Sequence, residues 1–133
     1  MRTTDKQLNL LIDRINELEK RPKESYSFDK KANRYKANVG NLHLESRAGL
    51  YGAYTKSVWL MSNEGGGVSY FFDSQDYYKP AELLAKLEGY LSGLEAQKWN
   101  YLTLVYSALL IQGKNFTNIL CLITVLSSIK YNS

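Results

Sequence analysis

The stretch Val58-Trp59-Leu60-Met61-Ser62-Asn63-Glu64-Gly65-Gly66-Gly67-Val68-Ser69-Tyr70-Phe71-Phe72-Asp73 decides the fold class. Its first four residues are apolar on both faces of an extended chain, which marks a strand at the centre of a sheet. Asn63 to Gly67 is turn chemistry, because asparagine closes local hydrogen bonds and glycine accepts any backbone geometry. Val68 to Asp73 resumes as a strand. Val68, Tyr70 and Phe72 fall on one face, and Ser69, Phe71 and Asp73 on the other. Strand, short turn and strand predict antiparallel pairing.

Upstream, Leu42 and Leu44 alternate with Asn41, His43 and Glu45, a half-buried strand preceded by the punctuation Val39-Gly40-Asn41. Ser46 to Gly49 reads as a loop or bulge, and an extended stretch follows between Leu50 and Ser62. Tyr26 and Phe28, a Lys30-Lys31-Ala32-Asn33 turn, then Tyr35 and Ala37 make a hairpin pattern. At the start, Thr4 and Gln7 have capping-box spacing. Leu8, Leu11, Ile12, Ile15 and Leu18 recur at helical spacing, and Pro22 stops the helix predicted over 4–20.

Downstream, Asp73 to Tyr78 is a loop and Pro80 opens a second helix. Leu83, Leu84, Leu87, Tyr90, Leu91 and Leu94 form its stripe to about Gln97. Gly89 and Gly93 flatten one side, which suits close packing against a sheet and less readily a ligand. Beyond it, Tyr101–Ile111 and Phe116–Ile129 are apolar runs split by Gln112-Gly113-Lys114-Asn115. Each is shorter than the ~20 residues of a membrane-spanning helix. A helical hairpin packed on the body or on another chain is the first expectation. A membrane-lying segment is the second, and an end foreign to the domain the third. The expected architecture is α+β: an N-terminal helix, an antiparallel meander of about four or five strands, a packed helix, and an apolar C-terminal helical extension. Residues 1–97 form the body and 98–133 the extension.

The charge distribution follows the same division. Of 133 residues, 17 are Lys or Arg and 13 Asp or Glu, a formal charge of +4. Every acid lies at or before Glu95, and only Lys98, Lys114 and Lys130 follow it, so residues 1–95 carry just +1. A basic nucleic-acid binder is therefore not expected. One histidine (His43) and one cysteine (Cys121) exclude an internal disulfide and a structural zinc site. No metal or cofactor is expected. An N-terminus without an apolar signal core points to the cytoplasm.

Candidate binding residues come from three places. The donors of Gly65 and Gly66 beside Asn63 could cradle a phosphate, although a hairpin turn explains the same sequence. In Gly49-Leu50-Tyr51-Gly52-Ala53-Tyr54, either tyrosine could stack on a base while Arg47 pairs with phosphate. Packing into the core or an interface is the competing role. Lys30, Lys31, Arg34 and Lys36 form a basic cluster able to touch phosphate weakly. Neither Gly-x-Ser-x-Gly nor Ser-x-x-Lys occurs, and no carboxylate pair suggests acid–base work, so an enzyme is not expected.

Leu10–Leu18, Asn38–Leu44, Tyr51-Gly52-Ala53-Tyr54, Met61–Val68 and the helix Glu82–Glu95 with Tyr90-Leu91-Ser92-Gly93-Leu94 together resemble a family of small phage and prophage proteins. The pattern is also similar to the anti-Thoeris sponge proteins. That resemblance, over about residues 4–97, implies a non-catalytic homo-oligomer that sequesters a cyclic ADP-ribose-type immune signal. The expected ligand-binding set is then Arg47, Tyr51, Tyr54, Asn63, Gly65, Gly66 and Tyr90. The chain departs from the family pattern in lacking a double glycine after Ala53-Tyr54. Residues 46–50 look inserted, and the tail from Lys98 has no counterpart. Two other functions compete. Eleven tyrosines suit a protein-binding inhibitor or adaptor, and the apolar tail suits a membrane-associated phage accessory protein.

Overall fold

The structure is a computed structural model that describes residues 2–49, 54–72, 77–113 and Thr124. Helix α1 (Asp5–Leu18) begins at its capping box: the Thr4 side chain accepts from the Gln7 amide and the Gln7 side chain accepts from the Thr4 amide. It ends where Lys20 takes a left-handed φ of 56°, two residues before Pro22. The strands are β1 (Tyr26–Asp29), β2 (Arg34–Ala37), β3 (Leu42–Ala48), β4 (Tyr54–Met61) and β5 (Val68–Tyr70), and α2 runs Pro80–Ile111.

The fold is α+β, as expected, and its strands form two sheets. β1 and β2 pair alone, with Tyr26 opposite Ala37 and Phe28 opposite Tyr35. β3, β4 and β5 make an antiparallel meander with β4 at the centre, where the doubly apolar Val58–Met61 belongs. Three local readings change. Ser46, Arg47 and Ala48 are not a loop but the end of β3, opposite Lys56, Thr55 and Tyr54. Phe72 does not continue the face of Tyr70. Sheet pairing ends as Phe71 N–H donates to the Val58 carbonyl at 3.0 Å. The chain then bends, bringing the Phe71 and Phe72 rings within 4.9 Å of each other. The second helix does not stop near Gln97 but continues to Ile111. Of the predicted extension, residues 114–133 other than Thr124 lie outside the described residues.

The chain divides into two units, Met1–Ser92 and Gly93–Ser133. In the first, Leu8, Ile12 and Ile15 of α1, Leu42, Val58 and Met61 of the sheet, and Leu83 and Leu87 of α2 are buried, with Ala37 beside them. Burying leucine-sized side chains contributes about 1.5–3 kcal/mol each. Two polar residues fix the geometry. Asn16, fully buried, donates to the Leu42 carbonyl at 2.8 Å and accepts from the Leu42 amide at 3.0 Å. It satisfies the edge of β3 as a neighbouring strand would. Lys56, on β4, reaches Asp5 at 2.9 Å and Ser46 at 2.6 Å, tying the first turn of α1 to the sheet.

Gly89 and Gly93 give no flattened contact: a Cβ at either would have no atom within 4 Å. Both are exposed in a helix interior, where glycine costs about 0.5–1 kcal/mol relative to alanine. Gly89→Ala should therefore raise the unfolding free energy by up to about 1 kcal/mol in urea titration.

Candidate functional site

Of the seven residues expected to bind ligand, the six described ones fall in different parts of the first unit. Arg47 sits near the end of β3 with its guanidinium 5.6 Å over the Tyr77 ring. Tyr54, at the start of β4, is 62% exposed. Tyr51 lies outside the described residues. Asn63, Gly65 and Gly66 occupy the turn at the other end of β4. Eight residues of strand separate the two ends by about 25 Å, too far for one nucleotide to bridge. Tyr90 is elsewhere again. Its hydroxyl donates to Glu19, whose carboxylate also pairs with Arg21, and its ring packs edge-on against Phe71 and Phe72. Burial and then the Glu19 hydrogen bond hold the Tyr90 phenol above its ordinary pKa. These interactions make Tyr90 a packing residue of the core margin.

The glycine turn is closed rather than open. Asn63 Oδ1 accepts from Gly65 N–H at 3.0 Å and Gly67 N–H at 2.9 Å, and the Asn63 carbonyl accepts from Gly66 N–H at 3.2 Å. Those donors therefore face asparagine, as in a capped hairpin turn, and not a phosphate cradle. Gly66 has φ +89°, and a Cβ there would lie 3.1 Å from the Tyr26 hydroxyl. Gly66→Ala should cost about 1–2 kcal/mol, read as a lower urea midpoint.

That contact shows what the turn does in space: it docks on the β1–β2 hairpin. Ala37 N–H donates to the Glu64 carbonyl at 3.4 Å, and Lys36 pairs with Glu64 at 2.6 Å. Between turn and hairpin lies a cleft of about 340 Å³ lined by Tyr26, Arg34, Tyr35, Lys36, Ala37, Glu64 and Gly65. Its size suits a small-molecule ligand. Tyr35 is 74% exposed and meets Phe28 edge-to-face at 5.3 Å. Lys36 is neutralised by Glu64. Arg34 is exposed and, among the described residues, has no carboxylate partner. Asp29, opposite it on β1, uses one oxygen to accept from the Lys31 and Ala32 amides of the turn. The cleft lining thus includes two tyrosines and Arg34, with the β1–β2 register setting Arg34 and Lys36 on the opposite face of the hairpin from Tyr26 and Tyr35. Asn63, Gly65 and Gly66 border it; Arg47, Tyr54 and Tyr90 do not.

A second cluster covers the outer face of the three-stranded sheet. His43, Trp59, Tyr70 and Tyr77 form a ladder of edge-to-face rings at 6.2–6.3 Å, with Arg47 at its end. Register puts His43 opposite Trp59 and Trp59 opposite Tyr70. Burial lowers the His43 pKa, which Glu45 only partly counters. The folded state then holds fewer protons than the unfolded state below the ordinary histidine pKa. Stability from this residue is complete above pH ~6.5 and is lost as pH falls through the folded value. His43→Gln should flatten that part of a stability-versus-pH curve.

Among the described residues, no group of three His, Cys, Asp or Glu side chains gathers as a metal site. Nor is any described helix long and apolar enough to cross a membrane. No family model, curated protein or solved structure matches the chain.

Proposed function

We propose that the chain is a non-catalytic binding protein that captures an anionic, aromatic small molecule at the cleft between the β1–β2 hairpin and the glycine turn. The observation carrying this reading is a cleft of about 340 Å³ whose lining includes Tyr26, Tyr35 and Arg34, an arginine with no carboxylate partner among the described residues. A guanidinium binds phosphate through parallel N–H donors, and a phenol ring stacks on a base. A nucleotide-derived signal of the cyclic ADP-ribose class presents both groups. Holding such a signal away from a host effector requires affinity and abundance but no chemistry, which fits a phage-type anti-defence role.

The test is capture followed by release. Purified protein is incubated with cyclic ADP-ribose isomers or cyclic dinucleotides, washed and heat-denatured, and the released molecule is identified. Recovery of intact ligand at near one per site supports sequestration. A chemically altered product would make the protein an enzyme, and no retention of any nucleotide at high protein concentration would end this reading.

The aromatic ladder on the outer sheet face favours a second reading, a protein partner. That face is rich in Tyr and Trp and has Arg47 at its end, the composition of protein-binding hot spots. A pull-down that loses its partner on Tyr70→Ala but not on Arg34→Ala would favour it.

A further inference from the structure

The β1–β2 hairpin carries rings and charges that a ligand in the cleft does not use. Register places Tyr26, Phe28 and Tyr35 on one face of the hairpin, and Ser27, Asp29, Arg34 and Lys36 on the other. Tyr26 is 48%, Phe28 49% and Tyr35 74% exposed. Phe28 lies outside the cleft lining, so the row of rings runs past the cleft toward the hairpin tip. At that tip Lys30 and Lys31 are exposed, and Arg34 follows where β2 begins. Among the described residues, none of these three has a carboxylate partner. Asp29 turns one carboxylate oxygen to the Lys31 and Ala32 amides. Residues 26–37 hold four bases and one acid, a charge of +3, whereas the rest of residues 1–95 holds ten bases and twelve acids, −2. The near-neutral balance of the body therefore conceals one basic element. Its other end is anchored. Asn38 donates to the Glu24 and Ser25 carbonyls and accepts from the Ser27 hydroxyl. A fixed base presents rings and cations together and lowers the cost of ordering them on binding.

We infer that this hairpin binds single-stranded nucleic acid, with bases stacked on the face of Tyr26, Phe28 and Tyr35 and phosphates held at the tip by Lys30, Lys31 and Arg34. Charge complementarity selects a polyanion, and the rings select among polyanions. Tyr26 and Phe28 stand about 7 Å apart along β1. With Tyr35 they make room for two or three bases, the number that sheet aromatics ordinarily stack. A single strand presents its bases to such rings, but a duplex keeps them stacked on one another. An acidic peptide matches the cations and supplies no flat rings for the aromatic face. The inference goes beyond the cleft reading, because Phe28, Lys30 and Lys31 all lie outside the cleft lining.

Fluorescence anisotropy of a labelled oligothymidylate of about 12 nucleotides, titrated with the full chain, tests this. Binding should saturate and should weaken about 20-fold between about 50 and 200 mM salt, the slope of about −2 that three phosphates of a single strand give. Lys30→Gln with Lys31→Gln should flatten that slope by about 1.4. Lys6→Gln, an exposed lysine of α1, should leave it unchanged. Phe28→Ala should weaken binding at least about fivefold, and Phe28→Tyr should stay within about twofold of wild type. An abasic strand of the same length should bind at least about tenfold more weakly, a comparison that holds even if Phe28→Ala unfolds the hairpin. No binding at about 50 mM salt would overturn the proposal. So would an abasic strand or a duplex bound as tightly as the oligothymidylate, or a folded Phe28→Ala variant with unchanged affinity. Retention of cyclic nucleotides without oligonucleotide binding would overturn this inference alone, and oligonucleotide binding without such retention would support it while ending the cleft reading.

Discussion

Asn16→Ala should lower the unfolding free energy by about 3–5 kcal/mol, among the largest effects expected for a single substitution that deletes so little volume. Asn16 is fully buried on α1 and answers both the N–H and the C=O of Leu42, itself buried. Removing the amide leaves two buried backbone groups without partners, each costing about 1–3 kcal/mol. A small cavity adds to this, and alanine's better helix propensity returns less than about 1 kcal/mol. Asn16→Leu should be no milder, since it fills the volume but not the hydrogen bonds. With typical domain stability near 5–15 kcal/mol, either variant loses a large fraction of its margin. Urea unfolding of wild type and both variants checks this. A loss under about 1 kcal/mol would show that β3 keeps its edge without Asn16.

The sequence made α1 and the central position of β4 readable because both are local patterns: a 3.6-residue stripe in one case, four residues apolar on both faces in the other. Asn16 was readable only in part. It follows Ile15 inside the apolar stripe, and a polar side chain there signals a buried partner, but nothing local identifies Leu42 as that partner. The division into two sheets was not legible, since pairing partners of β2 and β3 are chosen by packing and not by their own alternation. The end of β3 is not legible locally because Ser46 and Arg47 look like loop residues until Lys56 and Thr55 are placed opposite them. The site suffered from the same cause. Asn63, Gly65 and Gly66 were recognisable as unusual. Their neighbours Arg34 and Tyr35 stand about thirty residues away and were visible only as a basic hairpin turn. The length of β4 separates them from Arg47 and Tyr54.

Arg34→Ala and Tyr35→Ala should each weaken capture of a cyclic ADP-ribose-type nucleotide by about 10- to 100-fold, and together by more than about 100-fold. A charge-assisted hydrogen bond to phosphate is worth about 1.5–3 kcal/mol, and stacking on one ring about 1–3 kcal/mol. Neither substitution should disturb folding, because both side chains are exposed and neither contributes to the buried core. Unchanged urea midpoints would establish that the loss is one of binding. Arg34→Lys should recover only part of the affinity, since a lysine keeps the charge but loses the paired donors. Arg47→Ala discriminates between sites. It stands at the opposite end of β4 from the glycine turn and should leave affinity within about twofold of wild type, because a screened charge some 25 Å away contributes little. If Arg47→Ala abolishes binding and Arg34→Ala spares it, the ligand sits on the ladder of His43, Trp59, Tyr70 and Tyr77. In that case the cleft beside Asn63 is only the seam where one turn docks on a hairpin.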